Sequence, residues 1–231
     1  MLFRSYRESI ADLLGSLRGS PATTTVTGGL AGSYRGLPDG DTTNVSAKNE
    51  VKLLDRVDPA LDFDFGNKAP APGGKPEQFK INWTGSLLPP DTGEYEFRLT
   101  TPNGARLYVN APDGGSEKNA LVDLWVSSGM TRVGQGTVFL LGGRSYPLKI
   151  EFFKYKDKTA GMRLEWRPPG GAWSLVPSAN LSPRFSSHVP VVSVPLPPDD
   201  GSIGYERGAS VSREWTEAVA QGALQAAGLV G

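Results

Sequence analysis

Hydrophobic and polar residues alternate with a period of two through the middle of the chain. Phe79, Ile81 and Trp83 are separated by polar residues, which is typical of a β-strand that buries one face. The same alternation is found in four further stretches, at residues 94–100, 105–109, 148–152 and 162–166. The pattern therefore predicts a series of strands, each with one buried face.

Short segments rich in Gly, Pro, Asp and Asn separate these stretches and predict compact turns. They lie at residues 89–93, 102–104, 112–115, 142–143 and 168–171. Many short strands joined by compact turns are typical of an antiparallel sandwich or barrel. We therefore expect an all-β domain over residues 29–183, built as an antiparallel β-sandwich or barrel.

The two ends of the chain have a different pattern. Apolar residues recur at helical spacing near the start and predict a short amphipathic helix over residues 1–19. A second short helix is predicted over residues 210–231. A linker at 20–28 and a Pro-rich connector at 184–209 join these helices to the β-domain. Since neither helix has an evident apolar partner, we expect the remnant of an upstream domain and the start of a downstream domain in a longer protein.

Composition and charge argue against several classes of partner. The 231 residues include 24 basic and 24 acidic side chains, so the formal net charge is zero, whereas proteins that bind the phosphate backbone of nucleic acids are usually basic. No apolar run approaches the ~20 residues that span a bilayer, and the charged first eighteen residues do not resemble a secretory signal. We therefore expect neither a nucleic-acid partner nor a membrane span.

Residue sets for catalysis or metal binding are not evident in the sequence. The chain has no Cys and one His, His188, which excludes thiolate and multi-histidine metal centres. It has no Gly-x-Ser-x-Gly motif. The glutamates that would pair for glycoside hydrolysis occupy the polar side of alternating strands, at positions 94, 96, 151 and 165. We predict no catalytic residues, no metal site and no cofactor, so the chain is not expected to be an enzyme.

An ordered series of short motifs runs through the β-domain. The motifs are Gly29–Tyr34 (GLAGSY), Asp62–Gly66 (DFDFG), Ile81–Phe97 (INWTGSLLPPDTGEYEF), Gly104–Asn110 (GARLYVN), Leu121–Trp125 (LVDLW), Tyr146–Phe152 (YPLKIEF) and Leu164–Trp166 (LEW). In this order they resemble the PA14 domain, a β-sandwich module found in microbial adhesins, glycosidases and toxins. The resemblance covers residues 29–183 and implies a PA14-like β-sandwich in an extracellular or periplasmic location.

The segments that flank the β-domain carry a second resemblance. Residues 6–10 and 197–208 are similar to the flanks of a PA14 module in large planctomycete-type proteins that also contain c-type cytochrome-like domains. The chain has no Cys-x-x-Cys-His motif, so the resemblance does not imply that it binds haem.

Sugar-binding PA14 domains coordinate Ca²⁺ through two adjacent aspartates joined by a cis peptide bond, and the ion holds vicinal sugar hydroxyls. The matching positions here are Pro102 and Asn103, which supply one neutral side-chain oxygen in place of two carboxylates. A cis bond before Asn103 would cost about 3 kcal/mol, so we expect a trans bond. A calcium-dependent sugar site and a tight turn without metal both stay open, and the residues favour the turn.

Five residues are predicted to bind a ligand at the loop end of the sandwich: Asn103, Asp123, Trp125, Tyr155 and Asp157. Asp123 matches the aspartate of the family's Val-Asp-x-Trp stretch, or else it accepts a hydrogen bond from a turn backbone. Trp125 either stacks on a sugar ring or packs in the core, and packing is favoured. Tyr155 and Asp157 lie in a basic, aromatic stretch that either contacts anionic glycans or forms a hydrated hairpin tip.

The resemblance and these residues together predict a recognition function. We expect a non-catalytic carbohydrate or cell-surface recognition module of a larger multidomain protein, which binds through its rim loops. Its expected partners are a glycan or cell-surface polysaccharide and the neighbouring domains of the longer chain. Two alternatives stay open: a structural spacer or docking domain without glycan binding, and an accessory substrate-binding module of a glycan-degrading enzyme.

Overall fold

A computed structural model describes residues 28–37, 50–126, 128–192 and 213–230 of the chain. The helix predicted over residues 1–19, and most of the linker that follows it, lie outside the described residues, as does much of the Pro-rich connector. The chain divides into two compact units, one over residues 21–188 and one that contains the C-terminal residues.

The first unit is an antiparallel β-sandwich, which confirms the predicted fold class. Its described strands are β1 (Leu30–Gly36), β2 (Val51–Asp58), β3 (Asp62–Gly66), β4 (Gln78–Leu87), β5 (Gly93–Thr101), β6 (Gly104–Val109), β7 (Val122–Leu124), β8 (Arg132–Leu140), β9 (Tyr146–Tyr155), β10 (Ala160–Arg167), β11 (Ser174–Leu175) and β12 (Leu181–Ser182). The first sheet has the order β2-β1-β4-β9-β6-β7, with β12 also paired to β4. The second sheet has the order β11-β10-β5-β8, with β3 also paired to β10.

The core lies between the two sheets and contains the apolar positions of the alternating stretches. Trp83 of β4 and Phe97 of β5 are fully buried, as the alternation predicted, because they point from opposite sheets into the same layer. The Phe63 ring on β3 stacks on Trp83 with the ring centroids 5.3 Å apart. Trp166 is also buried, so both tryptophans assigned to the core from the sequence pack there.

The two sheets approach each other closely along one side, where β7 of the first sheet faces β8 of the second. A Cβ atom on Gly136 of β8 would lie 2.5 Å from the carbonyl oxygen of Leu121, and one on Gly134 would overlap Val122. Glycine therefore permits a backbone approach that a larger residue would prevent. This approach fixes the position of β7, which carries two of the predicted ligand residues at or near its end.

The second unit contains one described helix, α1 (Arg213–Val230), which confirms the predicted C-terminal helix. Ala218 and Gly222 are buried while their neighbours on either side are exposed or half-buried, so a narrow face of small residues at helical spacing is covered. Of the helices in the described ranges, none combines the length and the apolar character needed to cross a bilayer.

Candidate functional site

Three connections meet at one end of the sandwich, which we call the rim. They are residues 101–104 between β5 and β6, the described residues 125–126 and 128–131 between β7 and β8, and residues 156–159 between β9 and β10. The backbone N–H of Gly129 donates to the carbonyl oxygen of Pro102 at 3.1 Å. The register of the antiparallel strands thus brings together predicted residues that are far apart in sequence.

Asn103 is fully buried at the centre of the rim. Its Nδ2 atom donates to Oδ2 of Asp157 at 2.8 Å and to the carbonyl oxygen of Thr159 at 3.0 Å. Its Oδ1 atom accepts a hydrogen bond from the backbone N–H of Gly161 at 3.1 Å. The side chain therefore joins the β5–β6 turn to the β9–β10 connection, and it brings two predicted ligand residues, Asn103 and Asp157, into direct contact.

The backbone of Asn103 is held as firmly as its side chain. Its N–H donates to Oγ1 of Thr101 at 3.0 Å, and that hydroxyl donates in turn to the carbonyl oxygen of Gly161 at 2.7 Å. Its carbonyl oxygen accepts from Nη2 of Arg132 at 3.1 Å, and the two N–H groups of that nitrogen are shared with the carbonyl oxygens of Leu124, at 3.0 Å, and Val126. No described peptide bond is cis, so the Pro102–Asn103 bond is trans, as predicted.

The residues at this turn do not fit a calcium ion of the kind that the family resemblance implies. Calcium takes six to eight oxygen ligands, but Pro102 has no side-chain oxygen and Oδ1 of Asn103 already accepts from Gly161. Asn103 presents its nitrogen, which is a donor, towards the two nearest oxygens. Within the described ranges, no three His, Cys, Asp or Glu side chains form a group that could hold a metal ion.

Asp123 and Trp125 form a second cluster at the rim with Arg106. Oδ1 of Asp123 accepts from the backbone N–H of Trp125 at 2.9 Å, as the turn-backbone interpretation predicted, and Oδ2 accepts from Nε of Arg106 at 3.1 Å. The half-buried Trp125 ring packs against Phe153 with the centroids 4.6 Å apart, and the Arg106 guanidinium lies 4.6 Å from its centroid. We call Arg106, Asp123 and Trp125 the rim triad.

Arg106 was not singled out from the sequence, although it is the centre of the rim triad. Burial opposes its charge, but the hydrogen bonds and charges of Glu117 and Asp123 outweigh burial and raise the pKa of Arg106 above its ordinary value. Nη1 of Arg106 donates to Oε1 of Glu117 at 2.8 Å. Arg106 lies directly across from Asp123 between β6 and β7, and no local sequence pattern indicates this register.

Tyr155 and its basic neighbours end β9 at the rim. Tyr155 is half-buried, and Nζ of Lys156 lies 4.9 Å from the centroid of its ring. Lys154 points to the other face of the strand and is only 2% exposed. Burial lowers the pKa of Lys154, while the nearby charges of Asp157 and Glu77 oppose this shift. The stretch is therefore not a uniformly hydrated hairpin tip, since one of its lysines is inside the sandwich.

A further buried polar centre, which sequence reasoning missed, lies around Asp58 at the end of β2 opposite to the rim. Oδ2 of Asp58 accepts from Oη of Tyr34 and from Nε1 of Trp83, both at 2.7 Å, and Oδ1 accepts from Nε of Arg56 at 2.6 Å. A Cβ atom on Gly32 would lie 2.5 Å from Oδ2 of Asp58, so glycine is needed there. This centre supports the core and contributes no exposed group to the rim.

Known proteins similar to this chain include regulators. A curated relative is "Anti-sigma-I factor RsgI3" of Acetivibrio thermocellus, 28% identical over 128 residues, which are 55% of this chain and 18% of that protein. A solved "anti-sigma factor domain-containing protein from Clostridium clariflavum" is 27% identical with a TM-score of 0.55, over 73% of this chain and 51% of that one. The chain thus spans less than a fifth of the curated relative and about half of the solved one.

Other similar structures carry sugar-binding names. The "PA14 sugar-binding domain from RTX adhesin" has a TM-score of 0.52 at 21% identity, over 68% of this chain and 99% of that one. The Epithelial Adhesin 6 A domain from Candida glabrata, solved with Galb1-3GlcNAc, has a TM-score of 0.53 at 16% identity, over 73% and 90%. At these identities the likeness establishes the fold. Residues 33–180 match the family model described as "PA14 domain", and because this match covers more than half of the sequence, the chain belongs to the PA14 domain family.

Proposed function

We propose that this chain is a non-catalytic carbohydrate-recognition domain of a longer protein, and that the rim triad contacts the sugar. The observation that carries the proposal is the juxtaposition of Arg106, Asp123 and Trp125 at the rim. Sugar sites combine an aromatic face, on which a ring can stack, with a few fixed polar groups that set orientation. The triad contains both types of group within one connected cluster.

Each member of the triad has a distinct role in this proposal. The side chain of Asp123 is 45% exposed, and an ionised carboxylate has about four acceptor sites, of which the described part of the chain uses two. The remaining acceptor sites are suited to sugar hydroxyls. Trp125 offers for stacking the part of its half-buried ring that Phe153 and Arg106 leave uncovered. Arg106 holds both residues in place while its partner Glu117 stays at the surface.

The rim is also rigid enough to act as a preformed site. Arg132 contacts the carbonyl oxygens of Leu124 and Val126 on either side of Trp125, and Asn103 fixes the connection that follows Tyr155. Preformed sites lose less conformational entropy on binding than flexible ones. Tyr155 and Asp157 are proposed to line the same end of the sandwich, where the basic stretch favours a glycan with anionic groups.

A glycan array with wild-type protein and an Asp123→Ala variant tests this proposal, each with and without EDTA. We expect wild-type binding that EDTA does not change, and binding by the variant reduced at least tenfold. We expect its melting temperature to stay within about 2 °C of wild type, because Glu117 still pairs with Arg106 after the change. Asp55→Ala is the matched control, since Asp55 is an exposed aspartate on β2, at the opposite edge of the first sheet. Equal loss of binding in both variants, or binding that EDTA abolishes, would contradict the proposed site.

A role in signalling is the second candidate function, and the anti-sigma relatives favour it. In that case the domain would report the presence of a carbohydrate outside the cell to other parts of a longer regulatory protein. The alternative of a structural spacer or docking domain predicts that the protein binds no glycan on the array. An accessory module of a glycan-degrading enzyme predicts binding to the substrate of a catalytic domain elsewhere in the longer chain.

A further inference from the structure

We propose that the side-chain amide of Asn103 takes the place of a metal ion at the rim, so that the rim keeps its shape without a divalent cation. This inference concerns how the three connections are held together. It stands whether or not the rim binds a sugar, so its test is independent of the glycan array.

The atoms around Nδ2 of Asn103 are of the kind that a cation binds. The nitrogen lies 2.8 Å from a carboxylate oxygen of Asp157 and 3.0 Å from the carbonyl oxygen of Thr159. Carboxylate and backbone carbonyl oxygens are the ligands that hard cations such as Ca²⁺ prefer. An amide NH₂ group has two donors, and here one hydrogen bond goes to each oxygen. The amide thus supplies the positive end of the interaction that an ion would otherwise supply.

The hydrogen-bond partners of Asn103 fix the orientation of its side-chain amide. Gly161 presents an N–H donor to Oδ1, whereas Asp157 and Thr159 present acceptors to Nδ2. Rotation of the amide by 180° would place a donor against a donor and an acceptor against two acceptors. Only the observed orientation satisfies all three partners.

Burial and close packing at this turn also favour the amide. Asn103 is fully buried, so water does not compete for its hydrogen bonds and an unpaired group there would be costly. The next residue, Gly104, is pressed against the Phe153 ring, which a Cβ atom at that position would overlap. The Gly104 side of the turn is therefore closed by protein atoms.

An Asn103→Asp variant tests the proposal directly, because it keeps the shape of the side chain and replaces its donors by an acceptor. Two carboxylates and a carbonyl oxygen would then meet, and like charges at this distance repel. We expect the melting temperature in EDTA to fall by about 5 to 10 °C, and calcium to restore at least half of the loss. We expect the melting temperature of wild type to stay within 1 °C in EDTA and in 5 mM CaCl₂, with no calcium binding by calorimetry.

Two further variants keep the test decisive if Asn103→Asp fails to fold. Asn103→Ala removes the amide without adding charge, so its melting temperature should fall and calcium should not restore it. The double variant Asn103→Asp, Asp157→Asn returns one donor to the pair, and it should melt higher in EDTA than Asn103→Asp or, if that variant is unfolded, should fold. Stabilisation of wild type by calcium, a neutral effect of Asn103→Ala, or an unfolded double variant would overturn the proposal.

Discussion

Asp58 and Asn103 are two buried polar side chains that solve the same packing problem in different ways. Among the described residues each makes three side-chain hydrogen bonds, and all of the partners except Arg56, two residues before Asp58, are distant in sequence. Asp58 accepts all three, from Tyr34, Trp83 and Arg56, whereas Asn103 donates two and accepts one. The difference shows that the hydrogen-bonding character of the surrounding groups decides whether a charged or a neutral side chain can join them.

The charged centre, which is formed by Asp58 and its partners, needs a counter-ion. The neutral centre, which is formed by Asn103 and its partners, does not. A buried carboxylate without a paired cation is strongly destabilising, and Arg56 supplies the cation through a 2.6 Å contact to Asp58. Arg56 also donates to the hydroxyl of Tyr34 at 2.8 Å and lies over its ring. At Asn103 the partners are a mixture of donors and acceptors, so a neutral amide satisfies them without a buried ion pair.

Replacement of Asp58 by Ala should have the largest effect of the changes that test this comparison. The change leaves the indole N–H of Trp83 and the hydroxyl of Tyr34 buried without their acceptor and removes the counter-ion of Arg56. We expect the free energy of unfolding to fall by about 3 to 5 kcal/mol, measured by urea denaturation monitored by tryptophan fluorescence. Asp55→Ala on the same strand is the control and should change it by less than about 1 kcal/mol. A loss at Asp58 no larger than that of the control would show that the carboxylate is not essential to the core.

The sequence predicted which apolar residues surround these centres, but it did not predict the hydrogen bonds of the polar residues within them. Alternation placed Trp83 in the core, and the structure agrees, because the side-chain period of a strand is a local property. The role of Asp58 could not be predicted, since its partners Tyr34 and Trp83 lie 24 and 25 residues away and an aspartate before proline looks like a turn residue.

Asn103 and Asp123 illustrate the same limit at the rim. The family resemblance predicted that both residues bind a ligand. The turn that contains Asn103 was predicted from its Pro-Asn-Gly sequence. The contacts of its amide with Asp157 and Thr159, 54 and 56 residues away, depend on the register of β9 and β10. No local pattern carries that register, and Arg106 was missed for the same reason.

Replacement of Thr101 by Val gives a smaller effect and tests the neutral centre without touching Asn103 itself. The buried hydroxyl of Thr101 accepts from the N–H of Asn103 and donates to the carbonyl oxygen of Gly161, and valine of nearly equal size leaves both groups unpaired. We expect the free energy of unfolding to fall by about 1 to 2 kcal/mol. Thr100→Val, at the half-exposed neighbour on the other face of β5, should be neutral or slightly stabilising. Equal effects of the two changes would show that the Thr101 hydroxyl does not stabilise the rim.

Alkaline pH should lower the stability contributed by the centre at Asp58 but not that contributed by the centre at Asn103. This is the smallest of the effects that we expect. Burial, and then the hydrogen bond and charge of Asp58, raise the pKa of Tyr34 above its ordinary value near 10. Because the folded state favours the neutral phenol, this contribution to stability is complete below about pH 10 and is lost as the pH rises further. Burial also raises the pKa of Tyr108 and Tyr146 to about 12, so wild type should lose stability through several tyrosines, and a matched variant is needed to isolate Tyr34.

The free energy of unfolding of wild type and of Tyr34→Phe, measured by urea denaturation at pH 9 and pH 10.5, isolates the share of Tyr34. The variant is less stable at pH 9 because it lacks the hydrogen bond to Asp58, but its stability should fall less with pH, by about 1 kcal/mol over this interval. Asn103→Ala should keep the wild-type dependence on pH, since an amide does not titrate. If Tyr34→Phe keeps the wild-type dependence as well, the phenol ionises as easily in the folded chain as in the unfolded one. The charged centre would then be accessible to water. The two centres would then differ only in the geometry of their hydrogen bonds.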